Sequence, residues 1–199
     1  MGTRERKRVG GLTMEAQVRP RPYAVPPDVM RPHRPWVVFL ARDMRAEKVV
    51  EVGVHAGLLT IRLLRETDAT VWAVDHWQGV PDDPLQAYME EAGSIESRFL
   101  TRTKEYHEGG RLRVMRMDSV EAADRVLAQE GRTIDLVFID ADHRYEAVRE
   151  DIQAWGKCIR PGGVLCGHDY HWPGVKRAVV ELLPDHNADD TTWWIEVTE

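Results

Sequence analysis

"KVVEVGVHAGLLTIRLLRE", residues 48–66, changes its period half way along. The first six residues carry Val at three positions and read as a short strand. From Leu58 to Glu66 the apolar residues recur at helical spacing instead. Between the two lies "EVGVHAG", where Gly53 and Gly57 permit a sharp strand-to-helix turn and a close ligand approach to the backbone. The spacing is G-x-x-x-G rather than the G-x-G-x-x-G of a dinucleotide site, and an acid, Glu51, precedes it. A tight turn without a ligand explains the same residues. The stretch therefore speaks for a fold before it speaks for a function.

The strand–turn–helix unit repeats on both sides. "TVWAVD" (70–75), "LRVMRM" (112–117) and "IDLVFID" (134–140) read as strands. "WVVFLARDM" (36–44), "IESRFLTRTKEYH" (95–107) and "SVEAADRVLAQE" (119–130) read as helices, the last with Val120, Ala123, Val126 and Leu127 on one face. Val148, Ile152, Trp155 and Ile159 continue at helical spacing. "PGG" (161–163) predicts a turn before the strand "VLCGHD", and the helix "GVKRAVVELL" follows. "TWWIEVT" is a last strand. Such alternation predicts an α/β, doubly wound, mostly parallel sheet with helices on both faces, in a single domain over residues 34–199. One clear strand follows the last helix, and residues 1–33 form an Arg- and Pro-rich arm without sustained period.

Composition narrows the partners. A net charge of −6 argues against a nucleic-acid surface, which needs clustered Lys and Arg. The basic "TRERKRVGG" has no apolar run behind it, so it reads as neither secretory signal nor membrane anchor, and no stretch has membrane-spanning length. Cys158 and Cys166 fall in or beside buried segments and read as inert thiols of a reducing cytoplasm. Dimers and higher homo-oligomers stay open.

Right-handed crossovers put the C-terminal ends of parallel strands on one edge, where ligands bind. Asp75, Asp118, Asp140 and Asp169 all fall at or just past strand ends. Folding does not need four acids on one edge. Asp75 is placed to accept hydrogen bonds from ribose hydroxyls, or to cap the following turn. Asp118 and Ser119 precede a helix and are also natural N-caps. Adjacent parallel strands sit roughly 4.8 Å apart, so Asp140 and the pair His168-Asp169 should converge. Two carboxylates and an imidazole at one spot compete for protons unless a cation joins them.

The order of these pieces resembles the class I S-adenosylmethionine-dependent methyltransferases over roughly residues 35–199: E-x-G-x-x-x-G, an acid after strand two, D-S after strand three, then "IDADH" and "RPGGVLCGHDY". The resemblance implies the cofactor S-adenosylmethionine and a Rossmann-like fold that usually has two strands after the last helix, so the sheet is expected to lack its antiparallel edge strand or to borrow the arm of residues 1–33. Glu51, Gly53 and Gly57 would lie at its methionine end, Asp75 at the ribose, and Asp118 with Ser119 near the adenine. "VFIDADHRY" and "VLCGHDY" further resemble the metal-dependent O-methyltransferases of the catechol type and of bacterial sugar and macrolide modification. On that likeness Asp140, His168 and Asp169 are metal ligands, the ion is magnesium or manganese, and His143 is the base that takes the acceptor's proton.

The departure is His168, where the catechol enzymes have a carboxylate. Imidazole suits Mg²⁺ poorly and Mn²⁺, Fe²⁺ or Zn²⁺ better. Either the metal is not strictly magnesium, or His168 holds a water or the substrate. Asp142 either orients His143 or is a solvated turn residue. His143 itself, outside this context, reads as a cap or a solvated side chain. The expected reaction is attack of a metal-activated hydroxyl, on a small natural-product, sugar or phenol acceptor, at the cofactor methyl. The stretch 76–91, with His76, Trp77 and Tyr88, reads as a lid; with Tyr170, His171 and Trp172 it would wall the acceptor. Competing readings are a metal-independent methyltransferase using His143 alone, a non-catalytic cofactor-binding module, and a nicotinamide dehydrogenase, which the glycine spacing disfavours. No N-P-P-Y or D-P-P-Y stretch points to nucleic-acid methylation.

Overall fold

The computed structural model describes residues 8–9, 12–13, 33–79 and 95–198. Most of the expected lid, including Tyr88, and nearly all of the N-terminal arm lie outside these residues. Arg8–Val9 and Leu12–Thr13 form a separate antiparallel pair.

The main sheet contains β1 (Lys48–Val52), β2 (Thr70–Val74), β3 (Leu112–Met115), β4 (Ile134–Ile139), β5 (Ile159–Gly167), β6 (Asn187–Ala188) and β7 (Trp193–Glu196). The helices are α1 (His33–Asp43), α2 (Leu58–Glu66), α3 (Ile95–Glu108), α4 (Ser119–Glu130), α5 (Tyr145–Trp155) and α6 (Pro173–Leu182). Spatial order is β3-β2-β1-β4-β5-β7-β6. The first five strands run parallel, β7 pairs antiparallel with β5, and β6 pairs antiparallel with β7. All six residues of β4 are buried, as expected of a central strand covered on both faces. Alternate side chains serve two cores. Val50, Val52, Trp72 and Val74 pack with α4, α5 and α6. Val49, Val71, Leu136 and Phe138 pack with α1, α2 and Phe99 of α3. The expected α/β, doubly wound fold is therefore present, and its strand order reverses between β1 and β4, where such sheets open a crevice.

Three local expectations are corrected. Proline and two glycines at 161–163 do not precede β5 but bulge within it: Ile159 pairs Ile134 and Val164 pairs Leu136, so four residues oppose Asp135 alone. Backbone bonds between Gly162, Gly163 and Val197 hold that bulge to the end of β7. Ile159 belongs to β5, because α5 ends at Trp155 and turns through Gly156. The expected face of α4 is present: Ala123 and Val126 are buried, and Val120 and Leu127 pack partly covered against the same core, joined by Ala122. The antiparallel edge strand exists after all. It is β6, two exposed residues paired with Trp193 and Trp194, which carry no hydrophobic pattern to betray it. Burial pushes both thiols up, Cys158 to about 12, in keeping with inert cysteines.

Candidate active site

Parallel ladders continue one residue past each strand end. The backbone N–H of Asp75 donates to Met115, that of Gly53 to Val74, that of Asp140 to Val52 and that of His168 to Ile139, at 2.8–3.2 Å. These bonds set Asp75, Gly53, Asp140 and His168 in one row along the C-terminal edge. Four residues singled out by sequence thus stand side by side because the sheet is parallel and in register.

The turn after β1 is built by packing. Gly53 has φ +86°, and a Cβ there would lie 2.1 Å from the carbonyl oxygen of Asp140. Gly57 has φ +76°, and a Cβ there would lie 2.6 Å from the ring of Phe99. Both glycines are required by neighbouring parts of this chain. Asp75 ties the turn to the end of β2: its carboxylate accepts from the N–H of His55 at 2.9 Å and from that of Trp77 at 2.7 Å. The Trp77 indole N–H donates to the His55 carbonyl at 2.9 Å, and its ring packs on Phe99. Glu51 is buried and accepts the hydroxyl of Thr60 at 2.5 Å, a partner on α2 that the sequence did not single out.

Asp118 and Ser119 go elsewhere. Asp118 N-caps α4, accepting from the N–H groups of Val120 and Glu121. The Ser119 hydroxyl accepts the Trp155 indole N–H at 2.9 Å and bonds the Asp151 carboxyl. Asp151 is 4% exposed. Burial pushes its carboxyl up to about 7, helped by Asp118, Asp142 and Glu150 and opposed by the Ser119 hydrogen bond.

On the other side of the switch, Asp140, His168 and Asp169 converge. Each offers one ligand atom, and these atoms lie within 4.8 Å of one another. His168 Nδ1 is 3.5 Å from Asp140 Oδ1 and 3.2 Å from Asp169 Oδ1. Ligands at right angles about an ion held at 2.1 Å are separated by about 3 Å, so the set is close to the size a small cation needs. Asp169 sits in the left-handed region at φ +57°, which Asp tolerates better than most residues. Its other oxygen, Oδ2, meets His143 Nε2 at 2.7 Å. Burial raises the Asp169 carboxyl, but the bonds from His143 and His168 outweigh it and hold the group well below the usual range. For His168 burial works downward and is overcome by Asp140 and Asp169, so the imidazole is pushed up to about 9.

His143 is held from three directions. Asp169 takes Nε2, and the Trp172 indole stacks on the ring with centroids 4.9 Å apart. Behind it, a Cβ on Gly174 would lie 2.3 Å from the His143 carbonyl, so the first turn of α6 seats directly on this loop. Gly174 was not anticipated; the Pro173-Gly174 pair after "HDYHW" is its only trace in sequence. Trp172, expected to wall the acceptor, is 46% exposed and stands against His143. The Tyr170 hydroxyl bonds His186 Nε2 at 2.8 Å. Asp142 pairs with the backbone and guanidinium of Arg144. These bonds hold its carboxyl below the ordinary value against the upward push of burial.

Residues 50–170 match a family described as a methyltransferase domain. The uncharacterized protein y4gI of Sinorhizobium fredii (strain NBRC 101917 / NGR234) is 30% identical over 142 residues, 69% of this chain. The chain spans 14% of the length of that curated relative. Among solved structures, an O-methyltransferase from Bacillus cereus in complex with SAH is similar at TM-score 0.61 and 15% identity, over 82% of this chain and 79% of that one. The O-methyltransferase NovP gives 0.61 at 19% identity, over 82% and 77%. TomG of Streptomyces achromogenes, an O-methyltransferase of tomaymycin synthesis in complex with SAM, gives 0.60 at 18%, over 84% and 80%. At these identities the likeness is one of fold.

Proposed function

The chain belongs to the methyltransferase-domain family, and from that premise we propose that it moves a methyl group from S-adenosylmethionine to a hydroxyl of a small molecule. The carrying observation is the row along the sheet edge: Asp75 and the glycine turn stand on one side of the β1/β4 switch, Asp140, His168 and Asp169 on the other. When bound, S-adenosylmethionine supplies a methyl group on a positively charged sulfur, which an edge rich in carboxylates favours. Asp75 would hold the ribose hydroxyls, in the orientation its bonds to His55 and Trp77 already fix. Glu51, Gly53 and Gly57 would shape the turn at the methionine end. Asp118 and Ser119 are bound into α4 and α5 and would reach the adenine only through backbone groups.

Asp140, His168 and Asp169 would hold a divalent ion, whose charge lowers the pKa of an acceptor hydroxyl. His143 would take the proton that hydroxyl loses. With Nε2 on Asp169, the imidazolium so formed is stabilised by a carboxylate, and Trp172 keeps the ring in plane. The acceptor would be a natural product, sugar or phenol of modest size, and the surroundings are not those of a nucleic-acid groove, given a net charge of −6.

The test is transfer of labelled methyl from S-adenosylmethionine into a panel of phenols and sugars. We expect transfer to stop with EDTA, to return on adding Mn²⁺, and to fall about 100-fold or more in His143→Ala with cofactor affinity unchanged. Transfer indifferent to EDTA would transfer the role to His143 alone; transfer indifferent to His143→Ala would remove the proposed base.

A further inference from the structure

We infer that His168 is a direct ligand whose nitrogen turns this centre away from magnesium and towards first-row transition ions. The inference rests on the metal reading above and concerns which ion that site takes. His168 is fixed at its place: its backbone N–H donates to the Ile139 carbonyl at 2.9 Å, and the preceding Gly167 has the Trp193 ring where a Cβ would stand, 2.5 Å away. The imidazole is only 16% exposed and turns Nδ1, its inner nitrogen, towards one oxygen of each carboxylate. That is the direction a ligand needs. Asp169 presents Oδ1 to this centre while Oδ2 is held by His143. A carboxylate oriented by an outer imidazole is a common support of a ligating group.

The chemistry follows from the donor set. Mg²⁺ is a hard ion that favours oxygen and keeps several waters, so a nitrogen in its shell replaces a better ligand with a poorer one. First-row transition ions accept imidazole readily, with affinity rising along the Irving–Williams order. Two carboxylates and an imidazole whose proton the bound ion displaces also balance a divalent charge, where a third carboxylate would leave the centre negative. The same three positions with an acid in place of His168 would serve magnesium. With His168 they serve an ion that takes nitrogen.

The probe is Mn²⁺ added to EDTA-treated protein, read by pulsed electron paramagnetic resonance and by displacement with Mg²⁺. We expect a ¹⁴N coupling on the bound Mn²⁺ that survives in His143→Gln and vanishes in His168→Asp. We also expect wild-type Mn²⁺ to resist a 100-fold excess of Mg²⁺, and the Mn²⁺/Mg²⁺ preference to narrow at least tenfold in His168→Asp; His168→Asn gives the same reading if the acid disturbs folding. Bound Mn²⁺ without a ¹⁴N coupling, or an unchanged preference in both variants, would overturn the inference and leave the metal reading standing. No Mn²⁺ bound to the wild type, with circular dichroism unchanged, would end the metal reading itself.

Discussion

Gly53 shows how much of this edge depends on a missing atom. Its φ of +86° is strained for any other residue, and a Cβ would meet the Asp140 carbonyl at 2.1 Å. We expect Gly53→Ala to cost about 2–5 kcal/mol, the sum of left-handed strain and overpacking, seen as a lower urea midpoint with unchanged slope; an unchanged midpoint would count against this packing. Asp151 gives a second residue with a defined sign. Its carboxyl is held at about 7 in the fold against 3.8 otherwise. Between roughly pH 4 and pH 7 the folded chain therefore holds a proton the unfolded chain has lost, and stability falls as pH rises through that window. Asp151→Asn, which keeps a polar partner for Ser119, is expected to raise stability by ~1–3 kcal/mol at pH 8 and to change little at about pH 3.5, below the window. Thermal melts of both proteins at both pH values read this, and an equal shift at both would show that Asp151 is not the buried charge.

At the scale of elements, α6 braces the loop that carries His143. Its first turn rests on the loop carrying His143, through Gly174, and the residue before Pro173 is the Trp172 that stacks on the imidazole. Gly174→Ala, pushed against the His143 carbonyl at 2.3 Å, is expected to lower stability by ~1–3 kcal/mol and to cut methyl transfer well beyond that loss of folded protein. Transfer that merely tracks the folded fraction would detach α6 from the chemistry. The strands that build the edge were legible because each is an apolar run ending in an acid or a glycine: β1, β2 and β4 needed no tertiary information. The bulge in β5 was not, since Pro161-Gly162-Gly163 is a turn signal until β4 and β7 pair on either side of it. β6 was invisible because both its residues are exposed. Ile159 misled because a strand residue happened to fall four positions after Trp155. Among the candidate residues, the place of Asp75, Asp140, His168 and Asp169 along this edge could be read from sequence, whereas the direction of Ser119 and Asp142 could not. Their partners, Trp155 and Arg144, decide where those side chains go.

Over the whole molecule, strand order does what no single motif does. The reversal between β1 and β4 brings the glycine turn beside Asp140, so that the proposed cofactor half and the proposed metal half share one edge while their residues come from far apart in the chain. Among the described residues no helix is long and apolar enough to cross a membrane, and the two cores close the sheet on both faces. The proposed activity therefore stands or falls with what that edge binds. Isothermal titration of S-adenosylhomocysteine into EDTA-treated wild-type and Asp75→Ala proteins tests this most directly, because it needs neither acceptor nor metal. We expect saturable binding by the wild type, weakened about tenfold or more in Asp75→Ala, a loss of at least ~1.4 kcal/mol. Absence of binding by a folded wild-type protein would contradict the methyltransferase reading, and the acids along this edge would then answer to another ligand.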